Sequence, residues 1–223
     1  MKTRVVLFAV AATLAGVASA SAQLRSGTVE INPFAGYLFG GEITHRGVYY
    51  PVYPCNNPGC QGQDANVDVD DDVTYGGRIG YNFSSLFEAE FQYSQTNTQF
   101  VARPFNGPDV NFGDLKIEYF LGYMTFNFGH GRVVPYFTIG AGAANLIPNI
   151  AGSFSTSEVR YTGSLGGGVK LFLTPHFGLR FDGRAYSTYL GNNSHVYCNP
   201  NGFCTNQTWL TNGDVNGGFI IAF

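Results

Sequence analysis

Eight stretches of this 223-residue chain alternate apolar residues with polar or small ones at a period of two. That period puts successive side chains on opposite faces of an extended strand. The clearest stretch, about 86–96, sets Phe87, Ala89, Phe91 and Tyr93 against Glu88, Glu90, Gln92 and Ser94. About 28–39 sets Val29, Ile31, Ala35, Tyr37 and Phe39 against Glu30, Asn32 and Gly36. About 73–83 sets Tyr75, Ile79, Tyr81 and Phe83 against Arg78 and Asn82. About 114–128 sets Leu115, Ile117, Tyr119, Leu121 and Tyr123 against Lys116, Glu118, Phe120 and Gly122. About 135–145 is richer in Gly and Ala, with Phe137 and Ile139 against Thr138 and Gly140. About 161–173 sets Leu165, Val169 and Leu171 against Gly166, Gly168 and Lys170. About 177–187 sets Phe177, Leu179, Phe181 and Ala185 against Arg180, Asp182 and Arg184. About 209–223 ends Val215, Gly217, Phe219, Ile221, Phe223.

A strand of about ten such residues is long enough to cross a bilayer. It is stable there only if the sheet closes and leaves no unpaired edge. The pattern therefore predicts an all-β fold, an eight-stranded antiparallel transmembrane β-barrel with up-and-down meander connections. Connection lengths alternate as such a barrel requires. Those near 84–85, 129–134 and 174–176 are tight and carry Ser84-Ser85, Gly129-His130-Gly131 and Thr174-Pro175-His176. The others, about 40–72, 97–113, 146–160 and 188–208, are long, polar and rich in Gly, Pro and Asn. With an even number of strands, both termini fall on the short-turn side, the periplasm.

Composition narrows the alternatives. Charged residues are 12% of the chain, against about 25% in soluble domains. Aromatics are 16%, mostly Phe and Tyr. A disordered chain would be aromatic-poor and charge-rich. A net charge of −3 argues against a basic nucleic-acid binder.

Residues 1–22 carry their own signal. Lys2 and Arg4 precede an apolar run to Val17, and Ala20-Ser21-Ala22 ends in small residues. That is the layout of a cleaved secretory signal peptide, leaving 23–223 as the barrel domain. No later segment offers 18 consecutive apolar residues, so a spanning helix is not expected.

The second face of the segments collects Glu30, Arg78, Glu88, Glu90, Lys116, Glu118, Lys170, Arg180, Asp182, Arg184 and Asp214. Five basic and six acidic residues suit a network of ion pairs inside a narrow lumen, where an unpaired charge costs several kcal/mol. The interior of eight strands is just wide enough for side chains to fill. A plugged barrel is therefore expected, with a lumen charge cluster of Arg78, Glu88, Glu90, Lys116, Glu118, Lys170, Arg180, Asp182 and Arg184. The rival reading is a soluble exported sandwich whose charged face meets water. Only three Lys in the whole chain argues against it, since solvated surfaces carry more.

Four cysteines form two close pairs in the long loops, Cys55 with Cys60 and Cys198 with Cys204. An oxidising export route favours disulfides. Cross-loop pairing stays open, because spacing alone does not settle connectivity. The run from Asp64 to Asp72 is acidic and reads as a solvated loop, with a divalent cation as the alternative. No cofactor or metal site is expected. No His is followed two residues later by Ser, and there is no G-x-S-x-G elbow. An enzyme is not expected.

Leu86–Phe91, Pro135–Gly142, Gly166–Arg180 and the terminal Phe223 together resemble the small outer-membrane β-barrel proteins of the OmpA, OmpX and OmpW type. The resemblance covers essentially all of 23–223. It implies a Gram-negative-type outer membrane, with membrane lipids and lipopolysaccharide as surroundings. It also implies the barrel-assembly machinery and periplasmic chaperones as partners in transit. Phe219, Ile221 and Phe223 would be the assembly signal. The family spans adhesins, structural proteins, small channels and a few lipid-modifying enzymes, so a structural or surface-interaction role and a small OmpW-type channel are both implied. OmpA itself carries a peptidoglycan-binding domain beyond its barrel; no such domain is expected here, so the resemblance does not imply cell-wall anchoring.

Overall fold

The structure is a computed structural model that describes residues 26–43, 49–50, 63–104, 109–129, 131–149, 157–191 and 209–223. Its strands are β1 (Val29–Ile43), β2 (Tyr49–Tyr50), β3 (Gln63–Val69), β4 (Asp72–Asn82), β5 (Phe87–Pro104), β6 (Val110–Asn127), β7 (Val133–Asn149), β8 (Glu158–Phe172), β9 (Phe177–Tyr189) and β10 (Trp209–Ala222). Sequential antiparallel pairing runs from β4 to β10, and β1 joins the two ends by pairing with both β4 and β10. The result is a closed barrel of eight staves.

One stave is made of two strands. β4 lies between β1 and β5, and β3 continues between the same two neighbours toward the loop side. The break falls at Asp70-Asp71, opposite a register shift in β1 between Phe39 and Glu42. Gly40 supplies that irregularity at φ 68°, a conformation that glycine adopts without strain. Its N–H donates to Asp71 Oδ1 at 3.0 Å. Thr98 Oγ1 donates to the Asp70 carbonyl at 2.5 Å. Residues 63–69, expected as loop, are thus part of the wall. Their polar alternation hid them, because a ladder paired on both sides needs no apolar face outside the membrane. The acidic run is correspondingly divided among β3, the break and the first residue of β4.

The tight connections use local chemistry. Ser84 Oγ accepts from the N–H groups of Leu86 and Phe87 at 3.2 and 3.0 Å. At the other end of the barrel closure, Phe223 and Val29 exchange backbone hydrogen bonds of 3.0 and 3.2 Å.

Outward side chains form an apolar belt that includes Ile79, Phe91, Ile139, Leu165, Phe181 and Val215. Phe83, Phe87, Phe177 and Phe223 edge it near the tight turns, and Tyr37, Tyr75, Tyr161, Tyr189 and Trp209 edge it toward the loops. Such girdles mark the two interfaces of a bilayer. Phe219, Ile221 and Phe223 all lie on this outer surface.

The interior has three zones. Val134, Phe172, Ile220 and Ala222 cluster near the tight turns. The charged side chains lie in the middle. Leu38, Val69, Phe100, Leu115, Ile117, Leu121, Leu146, Leu190 and Leu210 fill the loop-side end, with Tyr119, Tyr123 and Tyr186. This last zone corrects the reading of β6. Leu115, Ile117, Tyr119, Leu121 and Tyr123 point inward, so Lys116, Glu118 and Gly122 point outward. The apolar parity of β6 serves an apolar part of the lumen rather than lipid. Period two distinguishes two faces but does not say which one is wet.

Candidate functional site: the charged lumen

Inward-pointing parity on β4, β5 and β9 brings three arginines and two carboxylates to one level. Arg78 donates from Nη1 and Nη2 to the two carboxylate oxygens of Asp182, at 3.0 and 3.1 Å. Its remaining donors reach Gln92 Oε1 from Nε at 2.9 Å, Asn32 Oδ1 from Nη1 at 2.9 Å and Asn216 Oδ1 from Nη2 at 2.8 Å. All five guanidinium N–H groups are therefore used, the full capacity of the side chain. The Phe34 ring lies against the same guanidinium, 3.8 Å from its carbon.

Glu90 is shared by the other two arginines. Arg184 Nη2 donates to its Oε1 at 2.8 Å, and Arg180 Nη1 donates to its Oε2. Arg184 Nε also donates to Asp182 Oδ1 at 2.9 Å. Arg180 Nε donates to the Tyr136 hydroxyl at 2.8 Å. The Tyr136 and Tyr123 rings face Arg180 and Arg184 at 4.4 and 4.2 Å. Strands β1, β4, β5, β7, β9 and β10 all contribute, so the network bridges the lumen from wall to wall.

Glycines make this approach possible. A Cβ at Gly168 would sit 2.6 Å from Asp182 Cβ, and one at Gly166 would sit 2.8 Å from Arg184 Cγ.

A second cluster lies nearer the tight turns. Lys170 Nζ donates to Glu30 Oε2 at 2.7 Å and to Glu88 Oε2 at 2.6 Å. On the loop side of the arginines, Asp214 accepts from the Tyr186 hydroxyl at 2.8 Å and from Asn216 Nδ2 at 3.1 Å. Arg180 and Lys170 are almost fully enclosed, at 1% and 0% exposure.

Of the residues expected in the lumen cluster, Arg78, Glu88, Glu90, Lys170, Arg180, Asp182 and Arg184 lie together there. Lys116 and Glu118 do not. They pair with each other on the outer surface at 2.7 Å. Asn145 Nδ2 donates to Glu118 Oε2 at 3.0 Å. Asn32, Gln92, Asn216, Tyr123 and Tyr136 belong to the network without having been singled out. Asn32, Gln92 and Asn216 share the parity of charged neighbours on their strands, and that was the available signal. Tyr123 and Tyr136 offered none, since Lys116 and Glu118 have the opposite parity to Tyr123 and β7 carries no charge. Cys55, Cys60, Cys198 and Cys204 lie outside the described residues, as does the segment 1–22. Among the described residues no group of three or more His, Cys, Asp or Glu could hold a metal ion.

The outer surface carries one further feature, a groove of about 910 Å³ near the loop-side girdle. Ala141, Ala143 and Gly163 are in its lining, flanked by Phe120, Tyr161, Tyr189 and Trp209.

Comparison with solved structures agrees with this architecture. The chain is similar to the outer membrane protein OprG of Pseudomonas aeruginosa, with a TM-score of 0.55 and 16% identity over 91% of this chain and 98% of that one. It is also similar to Neisserial surface protein A, with a TM-score of 0.53 and 14% identity over 89% and 98%. At these identities the likeness concerns the fold. No curated protein matches the chain. The family model of the outer membrane protein beta-barrel domain matches residues 8–216. A closed barrel with a lipid-facing belt and a match over nearly the whole chain lead to one conclusion: the chain belongs to the outer membrane protein β-barrel domain family.

Proposed function

We propose that this small outer-membrane β-barrel protein is non-enzymatic and acts as a structural and surface-presenting element, with a lumen closed by its own side chains. The observation that supports this reading most directly is the wall-to-wall network around Arg78, Glu90, Arg180, Asp182 and Arg184. Ions or solutes crossing the lumen would have to break several buried charge-assisted hydrogen bonds, each stronger than a neutral one. The long loops then face the exterior, where they meet lipopolysaccharide and extracellular partners. Residues 1–22 direct export, and Phe219, Ile221 and Phe223 present the assembly signal to the barrel-assembly machinery. Reconstitution of the refolded chain in liposomes tests the closed lumen. Vesicles loaded with a small sugar should swell no faster than protein-free vesicles. Rapid swelling would contradict the reading.

A second reading is supported by the groove. Its lining includes the lumen-parity residues Gly142 and Thr162 beside outward-facing Ala141, Ala143 and Gly163. Leu121, in the apolar zone of the lumen, lies against Gly142. A small apolar solute could enter from the loop side and leave laterally into the membrane, as a channel of OmpW type would allow. Uptake of an apolar fluorescent solute into vesicle membranes, lost on Ala143→Trp, would favour this route over the closed scaffold.

A further inference from the structure

Among the described residues, the buried charges of the lumen do not balance. Among the described residues the buried cations are Arg78, Lys170, Arg180 and Arg184, and the buried carboxylates are Glu30, Glu88, Glu90, Asp182 and Asp214. One negative charge is left over. The arginine level is itself rich in cations, so the surplus falls mainly on the cluster where Glu30 and Glu88 share the single ammonium of Lys170.

That same cluster is short of donors. Lys170 is engaged on the Oε2 atoms of both glutamates. Asn82 Nδ2 donates to Glu30 Oε1 at 2.7 Å and to Thr28 Oγ1 at 3.3 Å. Asn127 Nδ2 donates to Glu88 Oε2 at 3.4 Å. These bonds orient both amides and leave Asn82 Oδ1, Asn127 Oδ1 and Glu88 Oε1 without a partner. Rotating either amide would only turn its oxygen onto a carboxylate. All three oxygens are acceptors, so they cannot satisfy one another. Asn82 and Glu88 are 0% exposed, so bulk water does not satisfy them either. Leaving such groups unpaired costs the full desolvation penalty of each.

We propose that this cluster is a binding site for one small, hard monovalent cation of the sodium type, held by Glu88 Oε1, Asn82 Oδ1 and Asn127 Oδ1. Carboxylate and amide oxygens are the ligands that hard cations take. A single positive charge cancels the surplus, whereas a divalent ion beside Lys170 would overshoot it. Thr28, partly exposed and bonded to Asn82, marks the approach from the turn side. A proton on Glu88 is the competing way to supply one charge. The charged groups that act on Glu88 are Lys170 and Glu30, with Glu90 and Arg180 farther along the lumen.

The test uses the refolded full chain in zwitterionic detergent. The midpoint of its heat-modifiable gel shift is followed as sodium chloride replaces choline chloride at constant ionic strength. The midpoint should rise and saturate with sodium, and Glu88→Gln should abolish the response. If that variant does not fold, sodium-23 line broadening on the wild-type barrel, reversed by excess lithium, supplies the same readout. A midpoint indifferent to sodium but rising as the pH falls would assign the charge to a proton on Glu88 and overturn the cation site. Indifference to both would mean that water alone occupies the cluster, and would overturn it equally.

Discussion

Arg78 on β4 and Asp182 on β9 meet across the lumen in a two-pronged ion pair, at 3.0 and 3.1 Å, between strands that are not neighbours in the wall. Most of the barrel's cohesion is local, from one strand to the next. This pair is a strut, because it ties opposite walls.

Removing one end of the strut should therefore be costly. Arg78→Ala would leave Asp182 short of its bidentate partner and three amide oxygens without donors. Breaking a buried pair in this way costs about 3–5 kcal/mol. Arg78→Lys should recover only a minor part, since a single ammonium cannot reproduce the planar fork. Guanidinium unfolding of the refolded variants, followed by tryptophan fluorescence from Trp209, measures both losses.

The glycines opposite the network make a second, sharper contrast. Gly168→Ala places a methyl 2.6 Å from Asp182 Cβ and 2.2 Å from a backbone carbonyl, whereas nothing lies within 4 Å of a Cβ at Gly163. Overpacking of this kind costs about 1–3 kcal/mol. Gly168→Ala should lower the unfolding midpoint, and Gly163→Ala should leave it unchanged.

Much of this architecture was legible in the sequence. Alternation located every stave of the barrel, and the parity of Glu88 and Glu90 placed one face of β5 in the lumen. Two things were not legible, for physical reasons. Gln63–Val69 carries Asp64 and Asp68 and runs straight into Asp70–Asp72, so it reads as part of an acidic solvated loop rather than as wall. In β6 both faces are partly apolar, Leu115 and Ile117 toward the lumen and Phe120 and Met124 toward lipid. Only the three-dimensional partners decide which face is which. The Tyr119 and Tyr186 rings, stacked 4.5 Å apart inside the barrel, fix that choice for β6.

The orientation of β6 can be read chemically. In a background with the four native cysteines replaced by serine, Lys116→Cys should react with a bulky water-soluble maleimide in detergent micelles. Ile117→Cys, fully buried in the folded chain, should react only after heat unfolding. Equal protection of both would contradict the outward placement of Lys116.

Depth in the bilayer can be read from the outer belt. Phe181→Arg places a charge among the central lipid-facing residues and should cost about 2–4 kcal/mol, whereas a change near the interface costs about 0–1 kcal/mol. Tyr161→Arg, which introduces the same charge at the loop-side girdle, belongs to the second class. Folding yields in phosphatidylcholine vesicles compare the two directly.

Single-channel recording of the refolded wild-type chain in planar bilayers tests the closed lumen most directly. The heat-modifiable gel shift first establishes that the barrel is folded. With the arginine–carboxylate network intact, the inserted barrel should be electrically silent. Steady, reproducible openings from the wild-type protein would contradict a lumen sealed by Arg78, Glu90, Arg180, Asp182 and Arg184.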